Sequence, residues 1–300
     1  MSDKKDKPGF RTGYVAIVGR PNVGKSTLLN SLVGQKLSIT SRKPQTTRQR
    51  ITGIVTLDDA QLLFVDTPGF QSRHGSALNR SMNRAVTQAL SEVDVILMVL
   101  EGGRFSDEDR AVMALLPAGR PTLLAINKTD RLQDRRELLP YIEQVSAQRS
   151  FDEIVPVSAT KGHAVATLAR AVAKYLPLQP AIYTEDEITE SSERFLAAEM
   201  IREKLFRLLG DELPYVSAVL IDRFVMEGSM RRISASIIVD KDSHKGIVVG
   251  TKGSRLKEIG TLARRDMEKL FDGKVHLELW VRVKGGWSDD ARTLKQLGYD

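Results

Sequence analysis

The sequence predicts an α/β fold in which a mostly parallel sheet with helices on both faces is followed by a smaller α+β domain. Two observations support this prediction. Within residues 14–176, short apolar runs alternate with helical patterns, and this alternation is typical of a parallel sheet that is covered on both faces. From residue 191 onward, a helix is followed by two strands of alternating polarity, which indicates a second domain.

The elements of the first domain follow one another in a regular order. Apolar runs predict strands at 14–18, 62–65, 95–100, 122–126 and 154–157. Helical patterns lie between these runs, near 79–90, 107–116, 134–149 and 164–176. Because open parallel sheets bind ligands at the carboxyl ends of their strands, the residues after each strand form the candidate site.

The second domain begins after a break in the pattern. Pro177 and Pro180 end the last helix, and the acidic stretch that follows indicates a linker. Further elements are predicted at 191–209 (helix), 215–225 and 231–239 (strands), 254–271 (helix), 275–283 (strand) and 288–297 (helix). We therefore expect a flexible tail at 1–12, a first domain at 13–178, a linker at 179–190 and a second domain at 191–300 that ends in a helix.

Composition limits the class of protein. The 300 residues are 41% hydrophobic and 28% charged, as in chains that fold around a core. The absence of cysteine excludes disulfides and thiolate metal sites. The four histidines lack metal-ligand spacing. Since the sequence shows neither a signal peptide nor an apolar run of the ~20 residues that a membrane span needs, we expect a cytoplasmic protein, with a peripheral membrane-associated fraction left open.

The formal net charge of +7 favours polyanionic partners. Between Lys241 and Lys284, eleven Lys and Arg residues stand against six Asp and Glu residues, a local excess of five positive charges. Residues 181–190 are acidic instead. The basic stretch is therefore the candidate surface for nucleic acid.

The segment after the first strand has the spacing GxxxxGK[ST] of a phosphate-binding loop. A strand precedes it and a helix follows, so backbone N–H groups and the helix N-terminus can attract phosphate. Lys25 is expected to reach the β- and γ-phosphates, and Ser26 a Mg²⁺ ion. The predicted residues of this loop are Gly19, Arg20, Pro21, Asn22, Val23, Gly24, Lys25, Ser26 and Thr27.

Three further motifs, each after a predicted strand, indicate that the nucleotide is GTP. Asp66 can hold a water of Mg²⁺, and the Gly69 N–H can meet a γ-phosphate. Asp130 can accept two N–H donors that guanine has and adenine lacks, which argues against an ATP-driven kinase. The predicted residues are Asp66, Thr67, Pro68, Gly69, Asn127, Lys128, Thr129, Asp130, Ser158, Ala159 and Thr160.

The last two motifs divide the recognition of the base between them. Asn127 is expected to tether its loop, and the stem of Lys128 is expected to lie along the base plane. The backbone of residues 158–160 can reach the guanine O6.

With these four motifs in order, the chain resembles the translation-factor-like small GTPases and, within them, the Era family of ribosome-assembly GTPases. Residues 38–50 are similar to that family's first switch loop, and the resemblance extends over nearly the whole chain. It implies that Lys25, Thr47 and Gly69 act at the γ-phosphate and that Ser26, Thr47 and Asp66 hold Mg²⁺. Thr46 remains the alternative to Thr47. A monomer is expected.

Phe70 departs from the pattern of many GTPases, which place at this position a glutamine that orients the attacking water. Since Phe cannot make that hydrogen bond, we predict slow hydrolysis that RNA, K⁺ or a partner stimulates. Asn22 is a candidate for binding K⁺, with loop capping as the alternative. Arg48 and Arg50 are candidate charge donors, with solvated arginines as the alternative.

Residues 244–260 resemble the signature of a KH domain. Its GxxG turn lets the backbone clamp a sugar–phosphate chain, the flanking residues are basic, and the α-β-β-α-α-β order suits the type II variant. The predicted RNA-binding residues are Lys245, Ile247, Val248, Gly250, Thr251, Lys252, Gly253, Arg255 and Lys257.

A KH groove binds about four nucleotides of single-stranded RNA. The family resemblance implies that this RNA is small-subunit ribosomal RNA near its 3′ end, and that the small ribosomal subunit is the partner. Trp280 is predicted to lie in the core, whereas Trp287 either contacts RNA or packs on the last helix. The alternative function is a membrane-associated regulatory GTPase that places its basic domain on anionic lipid.

Overall fold

The computed structural model describes residues 9–41, 43, 46–70, 77–210 and 212–297. Most of the predicted tail, and residues 71–76, lie outside these ranges. The described residues form two compact units, the first within 1–38, 47–74 and 82–190 and the second within 39–46, 75–81 and 191–300. Among the described residues, no helix is both long and apolar enough to span a bilayer.

The first unit is built on a sheet flanked by helices. Its strands are β1 (Arg11–Val18), β2 (Ile51–Thr56), β3 (Ala60–Asp66), β4 (Val95–Glu101), β5 (Thr122–Asn127) and β6 (Glu153–Pro156). The strand order is β2-β3-β1-β4-β5-β6; β2 runs antiparallel to β3, and the other pairs are parallel. The helices are α1 (Lys25–Val33), α2 (Ala77–Glu92), α3 (Asp107–Ala114), α4 (Leu138–Ser146) and α5 (Val165–Ala173). The predicted mostly parallel sheet is confirmed.

Strand β2 was missed by the sequence prediction. Gly53 lies in its middle, and a Cβ at that position would come within 2.7 Å of side-chain atoms of Leu29 and Val33 on α1. The predicted linker covers the free edge of β2, because Ile54 N donates to Ile188 O at 2.8 Å and the Thr189 hydroxyl donates to a β2 carbonyl at 2.6 Å. A covered edge strand cannot pair with another chain.

The second unit combines helices with a smaller sheet. Its elements are α6 (Glu193–Leu208), β7 (Ser217–Glu227), β8 (Met230–Val239), α7 (Asp242–Val249), α8 (Ser254–Leu270), β9 (Val275–Val283) and α9 (Ala291–Gln296). The strand order is β7-β8-β9, with β7 antiparallel and β9 parallel to β8. Buried side chains such as Ile201, Ile237 and Ile259 join α6, β8 and α8 in one core. The predicted α-β-β-α-α-β order is confirmed.

The two tryptophans differ from each other in burial. Trp280 is 48% exposed, so its prediction as a core residue was wrong. Leu279 and Val281 pack against the core, and because side chains alternate along a strand, Trp280 points to the opposite face of the sheet. Trp287 is 1% exposed and packs with Leu294 of α9. Its ring N–H donates to Val216 O at 3.0 Å.

Candidate nucleotide and RNA sites

The loop between β1 and α1 lies at the carboxyl edge of the first unit's sheet, where three loops approach closely. Gly24 has a left-handed φ of 100°, and a Cβ there would lie 2.4 Å from the side-chain nitrogen of Asn127. A Cβ on Gly69 would lie 2.9 Å from Pro21. Glycine is therefore required at both positions, and the loops after β1, β3 and β5 meet around one site.

Lys25 begins α1, and its side chain is buried inside the loop. The ammonium donates to Gly19 O at 2.9 Å and to Arg20 O at 3.0 Å. Burial lowers the pKa of Lys25 to about 8, while the charge of Asp66 opposes this shift and that of Arg20 adds to it. A phosphate beside the ammonium would favour its charged form.

Hydroxyl groups converge on the carboxylate of Asp66 at the end of β3. Ser26 Oγ donates to Asp66 Oδ2 at 2.7 Å and lies 2.8 Å from Thr47 Oγ1. Thr47 Oγ1 donates to the same carboxylate oxygen at 3.2 Å. Ser38, which the sequence analysis did not single out, also donates to this oxygen, at 2.8 Å. The Thr46 hydroxyl instead donates to Lys43 O at 2.8 Å, so the geometry favours Thr47 over Thr46.

These residues fit a Mg²⁺ ion. Within the described part of the chain, Asp66 Oδ1 is buried and has no hydrogen-bond partner. Burial raises the pKa of Asp66, against the charge of Lys25 and the hydrogen bonds from the hydroxyls. A divalent cation would favour the ionised carboxylate. Carboxylate and hydroxyl oxygens are hard donors of the kind that Mg²⁺ takes.

Asn127 joins three loops at the end of β5. Its amide nitrogen donates to Val23 O at 2.9 Å, and its amide oxygen accepts from the N–H groups of Lys128 at 2.8 Å and Ala159 at 3.0 Å. A guanine O6 would therefore share the Ala159 N–H with Asn127. The phosphate loop and the base-binding loops are held together by one side chain.

Asp130 presents its carboxylate at the exposed rim of the same edge. The Ser158 hydroxyl donates to Asp130 Oδ1 at 2.6 Å and so fixes the orientation of the carboxylate. Thr129 and Thr67 anchor their loops by donating from their hydroxyls to Val157 O at 2.9 Å and Ile17 O at 2.8 Å. An oriented carboxylate of this kind can accept the paired N–H donors of guanine.

The remaining predicted residues near this site have different surroundings. Asn22 is exposed at a left-handed φ of 65°. Phe70 packs against the apolar core of the first unit. Arg48 is 2% exposed, so its description as a solvated arginine was wrong, whereas Arg50 forms a partly exposed ion pair with Glu92 at 2.9 Å.

The GxxG turn joins α7 to α8 and presents its backbone outward. Gly250 and Gly253 have left-handed φ values of 70° and 80°. A Cβ on Gly250 would lie 2.7 Å from Arg255 Cβ. Thr251 and Lys252 between them are exposed. The turn can therefore approach a sugar–phosphate backbone closely.

The residues that flank the turn divide into exposed and supporting ones. Lys245, Lys257 and the apolar Ile247, which is 54% exposed, face solvent. Val248 is fully buried in the core, so its assignment as an RNA contact is corrected to a support beneath the groove. The Arg255 guanidinium donates to Leu208 O, so this arginine also anchors the turn to α6.

Comparison with known proteins identifies both domains. The family model described as 50S ribosome-binding GTPase matches residues 14–128, and the model described as KH domain matches residues 212–288. GTPase Era of Nitrosomonas eutropha is 55% identical over 292 residues, which cover 97% of this chain and 99% of that protein. GTPase Era of Chromobacterium violaceum is 54% identical over 291 residues, which cover 97% of this chain and 98% of that protein.

Two solved structures are similar over the same extent. Aquifex aeolicus Era bound to GDP and AlF4⁻ superimposes with a TM-score of 0.93 at 39% identity, covering 97% of this chain and 99% of that one. Era in complex with MgGDPNP and nucleotides 1506–1542 of 16S ribosomal RNA gives the same TM-score, identity and coverage. With relatives of this identity along almost its whole length, the chain belongs to the Era family of GTPases.

Proposed function

We propose that this GTPase binds single-stranded small-subunit ribosomal RNA near its 3′ end and acts in assembly of the small ribosomal subunit in the cytoplasm. The observation that carries the proposal is the exposed GxxG turn in a basic α+β domain that is joined to a guanine-nucleotide site. A similar protein has been solved with nucleotides 1506–1542 of 16S ribosomal RNA, which supports the choice of RNA.

At the nucleotide site, the chain's own groups bind and orient the substrate for attack of water on the γ-phosphate. Lys25 and the backbone N–H groups of its loop stabilise the charge that builds on the phosphate oxygens. Ser26, Thr47 and Asp66 would hold Mg²⁺, which neutralises phosphate charge when bound. Asp130 and Lys128 select and hold the base, and the Gly69 N–H faces the γ-phosphate.

Phe70 offers no hydrogen bond to the attacking water, so we propose that hydrolysis is slow and that K⁺ near Asn22 stimulates it. The exposed, left-handed Asn22 lies within the phosphate loop and can present its side-chain oxygen to a cation. Initial rates of GTP hydrolysis in matched KCl and NaCl buffers test this idea, and equal rates in the two buffers would contradict a role for K⁺.

Binding of RNA at the GxxG turn is tested by charge reversal of Lys252. We expect Lys252→Glu to weaken binding of the 1506–1542 RNA by about tenfold or more, because a phosphate contact is replaced by repulsion. Lys274→Glu is the matched control. Lys274 is exposed and follows the end of α8 that is opposite the GxxG turn, and the 17 residues of α8 span roughly 25 Å.

The same two variants decide between RNA and lipid. The RNA proposal predicts that anionic vesicles do not discriminate between Lys252→Glu and Lys274→Glu. If Lys252→Glu lost vesicle binding and kept full RNA affinity, the RNA assignment would be wrong and the membrane-associated alternative would replace it.

A further inference from the structure

A carboxylate outside the predicted motifs connects two of the nucleotide-binding loops. Glu101 is the last residue of β4. Its Oε2 accepts from the Arg20 guanidinium at 2.9 Å, and its Oε1 lies 2.9 Å from Lys128 Nζ. Arg20 belongs to the phosphate loop and Lys128 to the base-binding loop, so Glu101 bridges the two.

The surrounding contacts fix Glu101 in place. The Tyr141 hydroxyl donates to Glu101 O at 2.9 Å, and the next N–H, that of Gly102, donates to Asn127 O at 2.9 Å. The side chains of Glu101 and Arg20 are only 18% and 6% exposed. Ion pairs that are shielded and held in this way are screened less by solvent than surface pairs are.

Arg20 is also held at its other side. Its Nε donates to Asp109 Oδ2 at 3.0 Å, and Asp109 is completely buried at the start of α3. The backbone carbonyl of Arg20 accepts from Lys25 Nζ at 3.0 Å. A continuous chain of contacts therefore runs from Lys128 through Glu101 and Arg20 to the phosphate-binding lysine.

Glu101 is ionised at neutral pH. Partial burial by itself would raise the pKa of Glu101, but the hydrogen bonds and charges of Lys128 and Arg20 outweigh burial and place the pKa below its ordinary value. Lys128 has a left-handed φ of 63°, a conformation that is costly for a side-chain-bearing residue. Its loop therefore depends on contacts such as this ion pair.

We propose that Glu101 is a positioning residue of the guanine site, which holds the stem of Lys128 where the base lies and links it to the phosphate loop through Arg20. This inference rests on the proposed role of Lys128 at the base. Without the Glu101 carboxylate, the Lys128 ammonium would be free to face solvent. The Lys128 stem would then have to become ordered each time the nucleotide binds, which costs conformational entropy. The effect falls on retention of the nucleotide, since Lys128 is remote from the bond that breaks.

Release of a fluorescent GDP analogue from wild type, Glu101→Gln, Lys128→Met and the double variant tests the inference. Glutamine keeps the size of the side chain and removes its charge. We expect each single variant to release GDP about tenfold faster, because one charge-assisted contact is lost. The double variant should release GDP more slowly than the product of the two single effects predicts, since both changes remove the Glu101–Lys128 interaction.

Two controls separate positioning from general destabilisation. Glu153→Gln breaks the 2.8 Å pair with the exposed Lys174 in the same unit and should keep the wild-type release rate. Glu101→Asp retains the charge and should recover part of the slow release.

Two results would overturn the inference: wild-type release by Glu101→Gln, or multiplicative effects of the two changes in the double variant. Wild-type release by Lys128→Met is a different result, because it would contradict the role of Lys128 itself and the inference would fail with it.

Discussion

The nucleotide site and the GxxG turn both present groups suited to phosphate, but they are organised in different ways. At the nucleotide site, buried side chains hold one another: Lys25 donates to two loop carbonyls, and Asp66 accepts from Ser26, Ser38 and Thr47. In the turn, Thr251 and Lys252 are exposed, and the two flanking glycines set the shape through left-handed backbone.

This difference predicts where each site is vulnerable. A preorganised cluster of buried polar groups loses most when one member is removed, because its partners are left unsatisfied. A turn defined by its backbone loses most when a Cβ is added where the conformation excludes one. Side-chain deletions should therefore dominate at the first site and glycine substitutions at the second.

The largest effect is expected for Lys25→Ala. Removing the buried ammonium deletes its contacts with the phosphates, and we expect GDP affinity to fall on the order of 1000-fold in a fluorescence titration. Lys174→Ala, which removes a lysine that is 64% exposed, serves as the control and should bind GDP like wild type. Comparable GDP binding by the two variants would show that the buried cluster does not hold the phosphates.

Asp130→Asn should change which base is bound. The amide cannot accept both N–H donors of guanine, but it can donate to the 2-oxo group of xanthine. We therefore expect the affinity for GDP to fall about 100-fold and the affinity for xanthosine diphosphate to rise. Competition titrations with both nucleotides measure this change in base preference. Asp134→Asn, a change at a neighbouring exposed carboxylate, should leave the preference for GDP intact. Retained GDP selectivity in Asp130→Asn would disprove its assigned role.

A smaller effect is expected at the turn. In Gly250→Ala the new methyl would meet Arg255 at a left-handed φ, which costs roughly 1–3 kcal/mol of strain, and RNA affinity should fall about tenfold. Gly246→Ala is the matched change, since that glycine lies within α7 and a Cβ there meets no atom within 4 Å among the described residues. Thermal unfolding and RNA titration of both variants compare the two positions. An equal loss in both would contradict a backbone-defined clamp.

The sequence was sufficient for the parallel strands and for the motifs that follow them. Apolar runs such as 95–100 and 123–126, set between helical patterns, indicate buried strands, and the motifs at 19–26, 66–69 and 127–130 identify loops that follow strands. Strand β2 was missed because its pattern is interrupted by Gly53, which is present to admit Leu29 and Val33 of α1. That reason lies in a tertiary contact that local pattern does not record.

The same limit applies within the sites. Ser38 is the first residue of the predicted switch loop but carried no predicted role, and Glu101 lies outside the predicted motifs; only the fold brings them to Asp66 and Lys128. Alternation along β9 gave the spacing of Trp280 correctly, but it did not reveal which face of the strand meets the helices. Burial of Val248 likewise follows from the packing of α7 on the core.

The proposed function implies that the nucleotide bound at the first site sets the RNA affinity of the GxxG turn, and RNA affinity in the two nucleotide states tests this implication most directly. Titration of the 1506–1542 RNA against the protein saturated with GDPNP or with GDP should show tighter binding with GDPNP, by at least about fivefold if the sites are coupled. Lys252→Glu should bind weakly in both states. Equal RNA affinity of the wild-type protein with GDPNP and GDP would contradict the account.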